Sequence, residues 1–188
     1  MRISGGVKKG IVLRTDRPSP LLRPLTDKIK NALFSIISEK IKDSNVLDLF
    51  TGTGIFGFEA LSRGAESVTF VDRDRRNIRL IRENVHRLQF DERVTAINKD
   101  FREAIDFLKK KNRSFSLVFI DPPYNTDFAY QTITHPSFLS LVRQESLVIV
   151  RVHHKKELPP SVGNMFLTCQ RRYGEAKIYF YTPREHHP

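Results

Sequence analysis

Asn45–Gly64 reads NVLDLFTGTGIFGFEALSRG, and the fold of the whole chain turns on how that stretch is parsed. The run NVLDLF is apolar enough for a strand, TGTG is a tight loop, and IFGFEALSRG is a helix stopped by Gly64. Within it, Gly52, Gly54 and Gly57 take the G-x-G-x-x-G spacing of a strand–loop–helix phosphate-binding turn. Glycines there let the backbone approach a ligand, and a helix N-terminus favours a negative group.

The same rhythm repeats downstream. SVTFVD (67–72) predicts a second strand and Arg73–Gln89 a second helix. RVTAIN, FREAIDFLKKK and FSLVFI follow as strand, helix and strand. One or two short helices lead to a fifth strand, SLVIVRV (146–152), and NMFLTCQRRYGEAKIYFYT predicts two strands about a turn near Gly174. Strands that are apolar throughout and alternate with helices indicate a doubly wound α/β fold, its mostly parallel sheet covered on both faces. Upstream, residues 1–25 read as a short β-hairpin and a proline-punctuated segment; Thr26 caps a helix reaching about residue 41. The expected organisation is therefore a basic N-terminal extension (1–25) before one domain (26–188).

Ligands of such sheets bind beyond the carboxyl ends of the strands. The chemically unusual residues fall there: Gly52 and Gly54 after the first strand, Asp72 ending the second, Asp100 after the third, and Asp121–Tyr124 after the fourth. Asp48 lies inside the first strand's end, where a carboxylate suits no pyrophosphate. A cofactor bearing an ammonium and a sulfonium tolerates it, and S-adenosylmethionine carries both. Asp72, about twenty residues past the loop, stands where an acid accepts ribose hydroxyls, or else caps the following helix. Asp100 offers either a helix cap or an acceptor for an adenine amine, with Phe101 packing on the ring.

The Asp121-Pro122-Pro123-Tyr124 corner is the most specific feature. Two prolines fix φ twice and remove two backbone donors. Methylating an exocyclic amine needs acceptors on its hydrogens, because its lone pair is delocalised into the ring. Asp121 and the Pro122 carbonyl are such acceptors, and Tyr124 gives a flipped base a face to stack on.

Charge points to a polyanion. The 188-residue chain carries a net +11 and a pI near 10.0, and residues 1–30 hold eight basic against two acidic residues. A concentrated excess of this kind is an electrostatic footprint for nucleic acid. The single cysteine, Cys169, precludes an internal disulfide and fits a reducing cytoplasm; no secretory signal or membrane span is visible. No spacing suits a metal site, and His153 and His154, adjacent on a strand end, are expected to point to opposite faces.

Taken together, RISGGVKKG, RPLTDKIKNALFSII, VLDLFTGTGIFGFEALSRGA, FVDRD and FIDPPY resemble the RsmD-like methyltransferases. The resemblance implies a class I, Rossmann-like methyltransferase fold with a seven-stranded sheet, an antiparallel C-terminal pair and the small N-terminal hairpin. It implies methyl transfer from S-adenosylmethionine to N2 of a guanine in small-subunit (16S) ribosomal RNA. It places Asp48, Phe50, Gly52 and Gly54 at the methionine end of the cofactor, Asp72 on the ribose, and Asp100 with Phe101 at the adenine. Asp121, Pro122, Pro123 and Tyr124 would hold the guanine, while Arg2, Lys8, Lys9 and Arg23 would grip RNA. The expected partner is rRNA or an assembled small subunit, and the expected state is a monomer without metal. This chain departs from the family's usual Ala-Gly-Ser-Gly with Thr51-Gly52-Thr53-Gly54, and from its usual Glu with Asp72. Lys28 and Asn31 stand where Arg and Glu are common. The alternatives are a DNA adenine-N6 methyltransferase, for which no extra recognition region is present, and a non-catalytic RNA-binding module of the same fold.

Overall fold

A computed structural model describes residues 1–15 and 25–184. Its parallel strands are β1 (Asn45–Leu49), β2 (Ser67–Asp72), β3 (Val94–Asn98), β4 (Phe115–Ile120) and β5 (Val142–His153). The helices are α1 (Asp27–Ile36), α2 (Ile55–Ser62), α3 (Arg75–Leu88), α4 (Phe101–Lys110) and α5 (Phe128–Ile133). The C-terminal strands are β6 (Ser161–Val162), β7 (Met165–Tyr173) and β8 (Ala176–Pro183). One sheet has the order β3-β2-β1-β4-β5-β8-β7-β6, parallel from β3 to β5 and antiparallel beyond. The order reverses between β1 and β4, which puts the switch point at those two strand ends.

The class is the one the alternation predicted, with local differences. An eighth strand, the two-residue β6, pairs with the edge strand β7; so short a strand carries no periodic signal. The N-terminal hairpin is reduced to one antiparallel bridge, Arg2–Val12, flanked by the bonds Ile3 N–H to Ile11 O and Leu13 N–H to Met1 O. Gly6 and Gly10, both at positive φ, turn the chain between them. The first helix ends at Ile36 instead of near residue 41, and a single 3₁₀ turn (Ser38–Lys40) carries the pattern on. Thr26 caps it as expected, accepting from Ile29 N–H.

Strand alternation sorts the side chains. Val46, Leu117, Phe119, Leu147 and Ile149 meet α1, α2 and α3; Leu47, Leu49, Val118, Ile120, Val148 and Val150 meet α4 and α5. Asp48, Asp121 and Arg151, each two residues past a member of the first set, therefore share the α1/α2 face. Helix α2 is buried along its whole length, because α1 and the N-terminal segment cover the side turned away from the sheet. Its Phe56 stacks on Phe119 at 4.0 Å between centroids. Among the described residues no helix is long and apolar enough to cross a membrane.

Candidate active site

The glycine loop is shaped by three different demands. Gly52 has φ +51° and a Cβ there would meet nothing within 4 Å, leaving open ground over the loop. Gly54 has φ +74°, and its Cβ would fall 2.2 Å from Ile81 Cδ1. Gly57 lets α2 close on β2, since a Cβ would lie 2.3 Å from Phe70 Cε1. Phe50, just before the loop, is left-handed at φ 68° without being glycine, which costs on the order of 1 kcal/mol. Its ring lies 5.0 Å from Phe101 and 6.2 Å from Phe128, and this aromatic packing offsets the strain.

Three carboxylates converge at the switch point. Asp48 is buried and accepts from Gly57 N–H at 3.1 Å. Burial pushes its carboxyl up to about 8, the bond from Gly57 N–H opposes the rise, and the charges of Asp121 and Asp72 add to it. Asp72 accepts from Gly52 N–H (2.8 Å), Asp74 N–H (2.8 Å) and Asn77 Nδ2 (3.0 Å). It therefore occupies the loop amide that a pyrophosphate would need. The capping role considered for Asp72 belongs to Asp74, which accepts from Arg76 N–H at 2.8 Å and so starts α3 two residues later than predicted. Asp100 does cap α4, accepting from Arg102 N–H at 3.1 Å. Phe101 is buried against Phe50 and Phe128, with the Arg102 guanidinium 4.4 Å above its ring.

At the end of β4 the chain makes its rigid corner. The Pro123 carbonyl accepts from Thr126 N–H (3.2 Å) and Thr126 Oγ1 (2.7 Å), which ties the turn to its own exit. Burial pushes the Asp121 carboxyl up to about 6, and the charge of Arg151 opposes the rise. Arg151, on β5, lies with Nε 2.9 Å from Asp121 Oδ1 and its guanidinium 5.4 Å from the Tyr124 ring centre. The His153 and Tyr124 rings meet in a T-shaped contact, 5.7 Å between centroids. Sequence reasoning passed over Arg151. Its signal is there all the same: one cation inside the apolar run SLVIVRV.

Two cavities meet at Tyr124. One of about 170 Å³ lies on the α1 side, lined by Thr26, Ile29, Tyr124, Arg151, Tyr173 and Glu175 among others. The other, about 410 Å³, opens on the α5 side past Pro122, Pro123, Tyr130 and His153. The His153 and His154 rings lie 4.4 Å apart rather than on opposite faces, because β5 ends at His153 and strand alternation ends with it. Among the described residues no group of three His, Cys, Asp or Glu could hold a metal ion.

The expected RNA contacts sit apart from this corner. Val7 N–H and Lys8 N–H bond to the carbonyl and hydroxyl of Ser62, the last residue of α2. The N-terminus of α2 faces the site, so Lys8 and Lys9 lie a helix length away, about 12 Å for eight residues. Lys8 Nζ is 5.8 Å from the Phe90 ring centre, Lys9 is exposed, and Arg2 donates to Gly10 O at 2.8 Å. Arg23 lies outside the described residues.

The segment is held down by buried charge. Glu59, fully buried in α2, accepts from Ser4 N–H at 2.7 Å and from Arg63 Nε at 2.8 Å, with Lys30 Nζ at 3.7 Å. Lys30, also buried, pairs with Asp27 at 2.9 Å and donates to the Arg2 carbonyl. Asn31 adds an acceptor 2.7 Å from Ser4 Oγ, so the amide in place of the family's usual Glu still engages the segment.

Comparison with known proteins identifies the family and the fold. The family described as "Conserved hypothetical protein 95" matches residues 1–182. "Putative rRNA methyltransferase YlbH" of Bacillus subtilis strain 168 is 31% identical over 98% of this chain and 100% of its own length. "Ribosomal RNA small subunit methyltransferase D" of Escherichia coli K12 is 31% identical over 96% of this chain and 89% of its own. The solved structure "Putative methyltransferase yhhF from Escherichia coli" superposes with a TM-score of 0.81 at 29% identity, covering 98% of both chains. The chain therefore belongs to the conserved hypothetical protein 95 family, that of the RsmD-like methyltransferases.

Proposed function

We propose that this protein is an S-adenosylmethionine-dependent ribosomal RNA methyltransferase that modifies N2 of a guanine in the small-subunit rRNA. The observation that carries the reading is the Asp121–Tyr124 corner standing beside a glycine loop lined by carboxylates instead of free amides. Burial, with the charges of Asp121 and Asp72 added to it, pushes Asp48 up to about 8, and a cationic ligand relieves that repulsion. The donor set thus fits S-adenosylmethionine, whereas a pyrophosphate would meet Asp72 already on the Gly52 amide. Asp48 with Phe50, Gly52 and Gly54 holds the methionine end, Asp72 the ribose, and Asp100 with Phe101 the adenine.

When bound, the cofactor supplies a methyl group on a sulfonium. Asp121 and the Pro122 carbonyl accept the hydrogens of the guanine amine and aim its lone pair at that methyl. Tyr124 stacks on the base, and Pro123 keeps the ring in register with the acceptors. As the nitrogen takes the methyl group that the cofactor would supply, the amine proton would leave on the Asp121 side. With its value near 6, Asp121 is mostly ionised at neutral pH and so available as an acceptor. Residues 1–25, with Arg2, Lys8, Lys9 and Arg23, grip RNA backbone beyond the site, and the protein works as a cytoplasmic monomer on rRNA or an assembled subunit.

The test offers labelled S-adenosylmethionine with three acceptors: small subunits from a strain lacking the protein, their naked rRNA, and duplex DNA. Digestion to nucleosides should find label on N2-methylguanine from the subunits or their rRNA. Label on adenine from DNA would overturn the reading.

A further inference from the structure

We propose that Arg151 is a positioning residue for the acceptor amine: its guanidinium fixes the Asp121 carboxylate and backs the Tyr124 ring, an inference that rests on the methyl-transfer reading above. Arg151 follows Ile149 on the α1/α2 face of β5, where the preceding side chains are core. Its own side chain is 3% exposed. A guanidinium so placed is tolerated only with a partner, and the ion pair to Asp121 supplies it. The same group lies within cation–π range of Tyr124. One buried cation therefore orients both side chains that the corner presents to a base, and it lines the small cavity beside them.

The charge has a second consequence. Asp121 faces Asp48 from β1 and Arg151 from β5, with Tyr124 on the corner, His153 at the end of β5 against it, and Tyr173 and Glu175 across the small cavity. Burial favours the protonated acid, and Arg151 favours the carboxylate. Removing the cation raises the Asp121 value, so less of it is ionised at neutral pH and the acid limb of turnover moves upward. A residue that merely packed β5 against the corner would lower stability without moving that limb.

The experiment compares wild type, Arg151→Met and Arg151→Lys as full chains, with S-adenosylmethionine and whichever rRNA substrate the labelling identifies. It measures kcat, KM for RNA, cofactor Kd by calorimetry, and kcat between pH 5.5 and 9. Arg151→Met should lose about 100-fold in kcat and shift the acid limb up by about one pH unit, with cofactor Kd within about threefold of wild type. Arg151→Lys should restore the limb but remain about tenfold slow, since an ammonium keeps the charge and lacks the planar fork. If Arg151→Met does not fold, Arg151→Lys and Asp121→Asn carry the test: the lysine change should cost about tenfold alone and nothing further when combined with Asp121→Asn. Wild-type turnover and pH profile in folded Arg151 variants would overturn this inference alone. Failure of the wild type to modify guanine would overturn the reading beneath it.

Discussion

Two groups of buried charge lie at opposite ends of α2, and they are built on opposite principles. At the far end, Glu59 sits between Lys30, Arg63 and the Ser4 amide, so each ion has its partners within the protein. At the near end, Asp121 pairs with Arg151, Asp72 takes backbone amides and Asn77, and Asp48, which accepts from the Gly57 amide, is pushed up to about 8. The first arrangement is complete and serves as a clamp, fastening residues 1–5 to α1 and α2. The second gathers acids without matching cations, and burial answers the excess by leaving Asp48 largely protonated at neutral pH. A buried excess of one sign costs stability unless a ligand of the opposite sign answers it. The contrast separates a structural ion group from one that awaits a cation.

Four changes put that contrast at risk. The largest effect belongs to Asp121→Ala, which removes the acceptor while leaving the glycine loop intact. Turnover should fall by at least about 100-fold, with cofactor Kd nearly unchanged in calorimetry. An equal loss of cofactor affinity would assign Asp121 to cofactor binding instead. Next comes the clamp: Glu59→Ala removes the acceptor of Ser4 N–H and Arg63 Nε, leaves Lys30 only Asp27 and the Arg2 carbonyl, and should destabilise the fold by about 3 kcal/mol in urea unfolding. Loss of activity without loss of stability would mean the clamp is not structural.

The third change concerns pH. A cationic cofactor favours the ionised form of Asp48, so binding releases a proton and weakens below pH 8, approaching tenfold per pH unit. Asp48→Asn should flatten that dependence in titrations at pH 6, 7 and 8. For the free protein the sign is set by the same raised value. Its contribution to stability is full below the ordinary carboxylate range and is lost as pH rises through about 8, so thermal scans of Asp48→Asn should lack that decline. The smallest effect is on RNA affinity. Reversing Lys8 and Lys9 should weaken binding evenly across sequences and lower the salt slope by about one for each phosphate no longer neutralised. An unchanged slope would move the grip elsewhere, since both lysines sit a helix length from the corner.

Much of this was legible in the chain, and the parts that were not share a cause. Strand and helix periodicity, the Gly52–Gly57 loop, the Thr26 and Asp100 caps and the Asp121–Tyr124 corner all depend on neighbours within a few residues. Local chemistry decides them, and the order of residues displays that chemistry directly. The bond from Gly52 N–H to Asp72, the Ser4–Glu59 clamp and the Arg151–Asp121 pair are not local in this sense. They join segments twenty to fifty-five residues apart. In sequence, Arg151 is one cation in an apolar run and Glu59 one acid in a helix that reads as core. Only packing brings a partner to each, because burial removes water and makes the nearest opposite charge decisive. The α/β winding and the residues at the strand ends were thus written in the chain. Which buried charges are answered within the protein, and which are left for a ligand, was settled by how the segments pack.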